Sequence, residues 1–398
     1  MATRRRSGRR KSVASSRKSS RKLTVNQQLL DQTISRALDL ESLKKGQARK
    51  ILAALNKDTY PKILAAVGKL EALEIEDWGG VVRGGNKEYQ RILAEIRGII
   101  EDAADKTIST MSTDMNKFAR METQWQSAVL KDALPVSLRF DRVSPTLLKA
   151  IQTNRPANGH LMNDWYKETY DALDREVVQA IQNGIANGDS VQEIVRALRG
   201  TRSKRFKDGL LDKSRRHTEA LVRTNVTHTS SQARELTYEA VNNGTMGDLH
   251  GNRKTPQVPL IKGILWVSTL DTRTSLICAG LDGTLFPVGE GERPPAHVSC
   301  RSTTVPQTAS WKELGIDLGE APEGTRASMD GKVAKSVTYG DWLKDQSAAR
   351  QVEVLGKSRA KAFRAGEVKI GQFTNDRLQT KTLDKLGIDV QRGKRKSA

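Results

Sequence analysis

Residues 264–306 read ILWVSTLDTRTSLICAGLDGTLFPVGEGERPPAHVSCRSTTVP, and this stretch decides the kind of fold. ILWVSTLD is rich in β-branched and aromatic residues, which predicts a short strand. TLFPV, after the turn signal Leu281-Asp282-Gly283, predicts a second. The rest is dense in turn residues, so a small α+β unit is expected up to about residue 306. Trp266, Leu281 and Phe286 are expected to form one small buried cluster.

The stretch also holds both cysteines of the chain, Cys278 and Cys300, with His297 three residues before the second. Several readings of that trio are open. Zinc takes thiolate and imidazole ligands, usually four in a closed structural site. Cys278, His297 and Cys300 supply three, and a fourth would have to come from His217, His228, His250 or Asp271. A disulfide requires Cα atoms within about 7 Å, which a hairpin closing at Pro294-Pro295 permits. Two buried free thiols acting as small apolar residues, with His297 organising the loop, is the favoured reading. A cysteine–histidine nucleophile would need an orienting group and an oxyanion site, and neither has a signal here. Asp271, Asp282 and Glu292 raise a magnesium or hydrolase question, but Asp282-Gly283 reads as a turn. No catalytic residue is expected, and the trio is expected to lie close together.

Upstream the character is helical. Residues 23–134 repeat apolar side chains at three- and four-residue spacing, with Tyr60-Pro61 as a break or first-turn proline. WGGVVRGGN, residues 78–86, interrupts the pattern, and it lacks the GKS or GKT ending of a phosphate loop. Ile92, Ile96, Ile99 and Ile100 form an apolar stripe. Residues 135–189 are read as a linker with Pro135, Pro145 and Pro156, followed by a helix over 162–186. Ser190 and Glu193 make a capping box, and Gly200 suits a helix stop. A basic stretch follows, then a helix from His217 with a stripe at Val222, Val226, Thr229, Ala233, Leu236 and Ala240, stopped at Gly244. The compact core is placed at 190–306. Residues 307–335 are read as a loop-like linker. A helical module is expected over 336–390, with Thr338 and Asp341 capping the helix of YGDWLKDQSAARQVEVLG, and then a basic tail over 391–398.

The composition limits the function classes. In 398 residues, 37 % are apolar and 5 % aromatic. That share is low for one large core and suits helical parts with much exposed surface. The fold class expected is therefore mainly α with a small α+β core domain, an elongated helical N-terminal region and a disordered basic tail. The formal net charge of +21 calls for an anionic partner, nucleic acid first and an acidic protein surface second. Two cysteines do not make a disulfide scaffold. No stretch reaches the length of a membrane span. Residues 1–22 carry Arg4, Arg5, Arg6, Arg9, Arg10, Lys11, Arg17, Lys18, Arg21 and Lys22 with no acid. They lack an apolar core and do not read as a secretory signal, although a basic, serine-rich transit peptide shares their composition. They are expected to neutralise phosphates without reading bases.

The order of several pieces resembles the phage head morphogenesis family, the Mu F-like minor head proteins. Arg223-Thr224 lies in the preceding helix. Trp266, Asp271 and Arg273-Thr274 come before Cys278, and Leu281-Asp282-Gly283 and Phe286 follow it. Pro294-Pro295, His297, Cys300 and Arg301 close the motif. The C-terminal YGDWLKDQSAARQVEVLGKSRAKAFRAGEV and TLDKLG look like a module often joined to this core, so the resemblance covers about residues 180–387. Some relatives carry CxxC at the first cysteine and CxC after the histidine. Ser275 and Ser302 stand at those added positions here, which removes two metal ligands.

The resemblance implies a minor head protein in the capsid interior near the portal, present in host cytoplasm during assembly. Its partners would be the portal protein, major capsid or scaffold protein, and packaged double-stranded DNA. It implies no turnover and no required cofactor. The alternatives are a nonspecific nucleic-acid-binding protein and a scaffold-like assembly factor absent from the mature virion. If the basic tail contacts DNA, removing residues 1–22 should lower affinity. It should also flatten the dependence of log K on log salt by about 0.9 for each phosphate that the tail neutralises. A salt titration of both forms on unrelated duplexes measures this, and identical slopes would assign the tail another role.

Overall fold

The computed structural model describes residues 23–73, 86–248, 251–254, 258–317, 319 and 324–388. The basic tail, most of WGGVVRGGN, His250 and the C-terminal basic segment lie outside the described residues. The chain is mainly α-helical with a small mixed region containing three small sheets.

Helix α1 (Val25–Ala54) starts on Thr24, whose hydroxyl accepts from Gln27 N. A π-helical turn over Leu55–Thr59 leads into α2 (Tyr60–Gly68), with Pro61 in its first turn. The backbone is helical on both sides of Pro61, so its absent N–H removes one bond from a continuous helix, and the π-helical turn lies directly before it. Helix α3 (Lys87–Ala133) is capped by Asn86. Two-residue strand β1 (Leu138–Arg139) follows, then α4 (Pro145–Thr153). The prolines of this region thus mark a short helix where a linker was expected: Ser144 caps it and Pro145 occupies its first turn. Helix α5 (Met162–Asn187) ends on Gly188 in the left-handed region. Helix α6 (Val191–Arg199) has the expected capping box of Ser190 and Glu193.

Helix α7 (Leu210–Asn242) begins seven residues before the expected His217, since Leu211, Ser214 and Thr218 already face the interior while the basic residues face outward. It is the axis of the molecule, with α1, α3 and α5 packed around it. Its middle is buried on every side, including Thr224, Asn225, Thr229, Ser230, Arg234 and Glu235. Small hydroxyl side chains help allow that, because several satisfy themselves on the preceding turn. Thr224, Thr227 and Thr237 donate to the carbonyls of Ala220, Arg223 and Ala233, the back-bonding open to Ser and Thr in a helix.

Strands β2 (Thr245–Gly247) and β3 (Arg253–Lys254) complete a sheet with β1. Strand β4 (Ile261–Val267) is the centre of the motif sheet. After it come helix α8 (Leu276–Leu281), β5 (Leu285–Phe286) and β6 (Thr303–Thr308). Both β5 and β6 pair antiparallel to β4, with Ile264 opposite Phe286 and Trp266 opposite Thr304. The apolar cluster behind this sheet joins Leu29, Leu30, Leu130, Ile261, Ile264 and Val305, so α1 packs on the sheet as well as on α7.

The stretch read as a loop-like linker contains a hairpin, β7 (Thr325–Ser328) with β8 (Gly331–Ala334). Helices α9 (Tyr339–Lys344), α10 (Ala348–Leu355) and α11 (Lys357–Arg364) follow. Thr338 and Asp341 form the expected capping box, but the helix they start stops at Lys344, and Ser347 caps a second. These helices share a core with Leu270 and Ala279 of the motif.

The joint is Asp282, whose side chain is fully buried. It accepts from Ser268 N at 2.6 Å, from Arg326 Nη1 at 2.9 Å and Nη2 at 3.1 Å, and from Tyr339 N at 2.7 Å. Arg326→Ala would leave that carboxylate buried without its counter-charge, a loss of about 3–5 kcal/mol. Denaturant unfolding should show it, with proteolysis beginning in residues 324–388. A loss under about 1 kcal/mol would rule out this role for the pair.

Candidate metal centre

The LDG turn and the proline bend fold the two ends of the motif onto each other. Gly283, at φ 80°, donates to Trp266 O, and Trp266 N donates to Thr284 O. A side chain would be strained at that φ. Ser275 starts α8, accepting from Cys278 N, and so aims Cys278 inward. On the other side Cys300 N donates to His297 O in a tight turn. Ser299 in that turn is in the left-handed region at φ 60°, and its N–H donates to Thr224 Oγ1 of α7.

Cys278, His297 and Cys300 meet. Their ligand atoms lie within 4.8 Å of one another. Cys278 Sγ is 3.1 Å from His297 Nε2 and 3.6 Å from Cys300 Sγ. The cysteines are free and buried. His297 Nδ1 bonds Val298 O at 2.9 Å. That leaves Nε2 toward the sulfurs, the ring orientation that a backbone carbonyl sets in metal-binding histidines. Trp266 roofs the cluster with Ala296 and the half-buried Leu281 and Phe286, and its Nε1 donates to Ser268 Oγ at 2.9 Å. Ser268 Oγ in turn donates to Cys278 O and touches Ser302 Oγ at 3.1 Å.

The charges in the trio are coupled. A hydrogen bond from Cys278 draws the Cys300 thiol well below its ordinary value; burial opposes this and His297 adds to it. The same bond to Cys300, then burial, pushes Cys278 up. His297 is raised first by its bond to Cys300, against burial. The directions agree: negative charge is favoured on Cys300 over Cys278, and positive charge on His297 beside it. A thiolate is a nucleophile, but Cys278 and Cys300 are each only 2 % exposed, which denies a substrate access.

Such a trio could in principle hold a metal ion. Among the described residues no further Cys, His, Asp or Glu joins it. His228 Nε2 bonds Arg155 O at 3.0 Å, and burial lowers its pKa to about 4. Asp271 is committed to Arg301, and His217 is exposed on α7. Hydroxyls stand beside the trio. Ser275 Oγ is 2.8 Å from His297 Nε2, and Ser302 Oγ is 3.1 Å from Ser268 Oγ, which donates to the Cys278 carbonyl. Neutral serine hydroxyls are not among the ligands that close a structural zinc site. The donor set therefore fits a three-ligand site and does not complete a closed one.

The other motif residues are braces. Arg301 grips Asp271 with two hydrogen bonds of 2.8 and 2.7 Å. Burial works against the Asp271 carboxylate, but Arg301 outweighs it and holds the group below the usual range. Arg273 N and Thr274 Oγ1 donate to the same carboxylate. Arg223 pairs with Glu41 of α1 at 2.9 Å. Pro294 and Pro295, joined by a cis peptide bond, are buried.

Sequence reasoning missed several partners. Glu122, fully buried, binds Arg36, Ser230 and Arg234. Glu235 binds Arg293 at 2.7 Å. Arg326 sat in a presumed linker. For Glu122 and Glu235 the signal was a charge at a position where the helical pattern demands an apolar residue; Arg326 had no such signal.

Compared with protein-family models, curated proteins and solved structures, the chain matches none of them. Purified without chelator, the protein should carry zinc well below one equivalent. Ser302→Cys, supplying a third thiolate beside Cys278, should raise it toward one equivalent by elemental analysis. A full equivalent in the original chain, lost in both Cys278→Ser and Cys300→Ser, would show that three ligands suffice.

Proposed function

We propose that this chain is a minor head protein of a tailed phage. It acts by binding, without turnover, at the capsid interior near the portal. The observation that carries this reading is what the motif residues do. Thr224, Asp271, Asp282 and Arg301 are each spent on bonds that tie one segment of the chain to another. The two thiols are buried in a cluster with Trp266 and Ala296. A motif used in this way preserves a shape for partners to recognise, and the ordered resemblance to head morphogenesis proteins names the setting.

The partners in this reading are the portal protein, with major capsid or scaffold protein as further contacts, and packaged DNA. The charge of +21 and the ten cations of the tail suit an interior crowded with phosphates, and contact there is independent of sequence. The elongated docking role of the N-terminal helices belongs to the same reading. It needs no cofactor. Zinc at Cys278, His297 and Cys300 would brace the same loop. Among the described residues no helix is long and apolar enough to cross a membrane.

Particles produced from the encoding genome should contain the chain when analysed by mass spectrometry. Trp266→Ala, which empties the roof of the cluster at a cost of about 3–5 kcal/mol, should reduce incorporation through misfolding. Presence in proheads but not in mature particles would make the chain a scaffold-like factor. Absence from both, with retained DNA binding, would leave the nucleic-acid-binding alternative.

A further inference from the structure

A cavity of about 460 Å³ lies between α1, α7 and the segment that follows the HxxC turn. Its volume is in the ~300–1,000 Å³ range of small-molecule sites. Six cations line it: Lys44, Lys45, Arg223, Arg234, Arg273 and Arg301. The carboxylates facing them are Glu41 on the wall, and Asp271 and Glu122 behind it, paired with Arg301 and Arg234. Six cations against three carboxylates leave three positive charges uncompensated.

The decisive feature is Arg234, only 2 % exposed. Its Nε donates to Glu122 at 2.7 Å and its Nη1 to Thr303 Oγ1 at 3.0 Å. Its Nη2 has no partner among the described residues, and neither does the buried hydroxyl of Ser231 on the same wall. Buried donors left unmatched are unfavourable, most of all on a charged group. Arg234 and Ser231 both line the same cation-rich cavity. The ligand that matches them is an acceptor with negative charge and several oxygens. A guanidinium fork meets such a group in two-point fashion.

We propose that this cavity binds the phosphoryl group of a small phosphate-bearing molecule. The depth of Arg234 selects a small molecule over a duplex, whose phosphates lie on a convex surface and cannot reach a side chain so enclosed. The site is distinct from the sulfur–imidazole trio, although Ser302 stands in the wall of one and beside the other. It does not depend on the phage reading.

The test is calorimetric titration of the full chain with inorganic phosphate and, separately, with adenosine monophosphate, each at ionic strength matched with chloride. Saturable binding of one phosphate per chain is expected. Tighter binding of the nucleotide would place more of the ligand in the cavity, and equal binding would assign recognition to the phosphoryl group alone. Lys45→Glu, at an exposed position, should weaken binding by about tenfold, and Ser231→Ala should weaken it severalfold, since each removes a charge-assisted contact. Both variants should melt like the original chain in the absence of phosphate. No saturable binding above the chloride control would overturn the proposal. So would binding that neither variant changes, or bound phosphate displaced by a short duplex oligonucleotide at equal phosphate concentration.

Discussion

A single buried carboxylate holds the motif half of this protein together. Asp282 has no exposed side-chain surface, and its two oxygens receive donors from the end of β4, from the β7–β8 hairpin and from the first residue of α9. Burying a carboxylate alone is strongly unfavourable, and it becomes tolerable only when a counter-charge and hydrogen bonds surround it. The three segments must therefore arrive together. Once they do, the LDG turn is fixed, α8 is fixed before it, and Cys278 points at the turn that carries His297 and Cys300.

A second buried acid plays the matching part on the helical side. Glu122 of α3 receives Arg36 from α1 and Arg234 with Ser230 from α7. Trp125 lies one turn beyond it, with both guanidinium groups about a ring's width from its face, at 5.3 Å. Arg234 reaches on to Thr303 of β6, so the same side chain links the helix axis to the motif sheet. Specificity of packing, more than added stability, is what such a buried network supplies. It fixes which face of α7 meets which neighbour, where α7's own sequence, rich in Thr and Ser, has too weak an apolar stripe to do so.

The elements that could be read from the sequence were those with local signatures. The Ser190–Glu193 and Thr338–Asp341 boxes, the Gly200 helix end, and the β-branched run of β4 all follow from short-range chemistry. The proximity of Cys278, His297 and Cys300 was also readable, because a turn and a proline bend leave the intervening chain little choice. What stayed hidden depends on contacts distant in sequence. Strand β6 pairs with a strand about forty residues earlier and carries a proline, which weakens its local signal. The hairpin at 325–334 is short and polar, and its reason for existing is Arg326 reaching Asp282. The early start of α7 was obscured by basic residues that lie on its outer side.

The sulfur–imidazole trio shows why ligand geometry and ligand number are separate properties. The geometry here comes from hydrogen bonds: Ser275 caps α8, Ser268 ties Trp266 to the Cys278 carbonyl, and Thr224 holds Ser299 in its left-handed turn. None of these bonds needs an ion. Cys300 and His297 each favour the charged form of the other, so part of the electrostatic stabilisation comes from within the trio. Serines stand at positions 275 and 302, where a thiol would add a soft ligand near the trio: Ser275 Oγ lies 2.8 Å from His297 Nε2, and Ser302 Oγ touches Ser268, which bonds the Cys278 carbonyl. The loop can thus keep a metal-site shape while being held by the chain's own donors and acceptors, and the strength of any metal binding depends on the residues at positions 275 and 302.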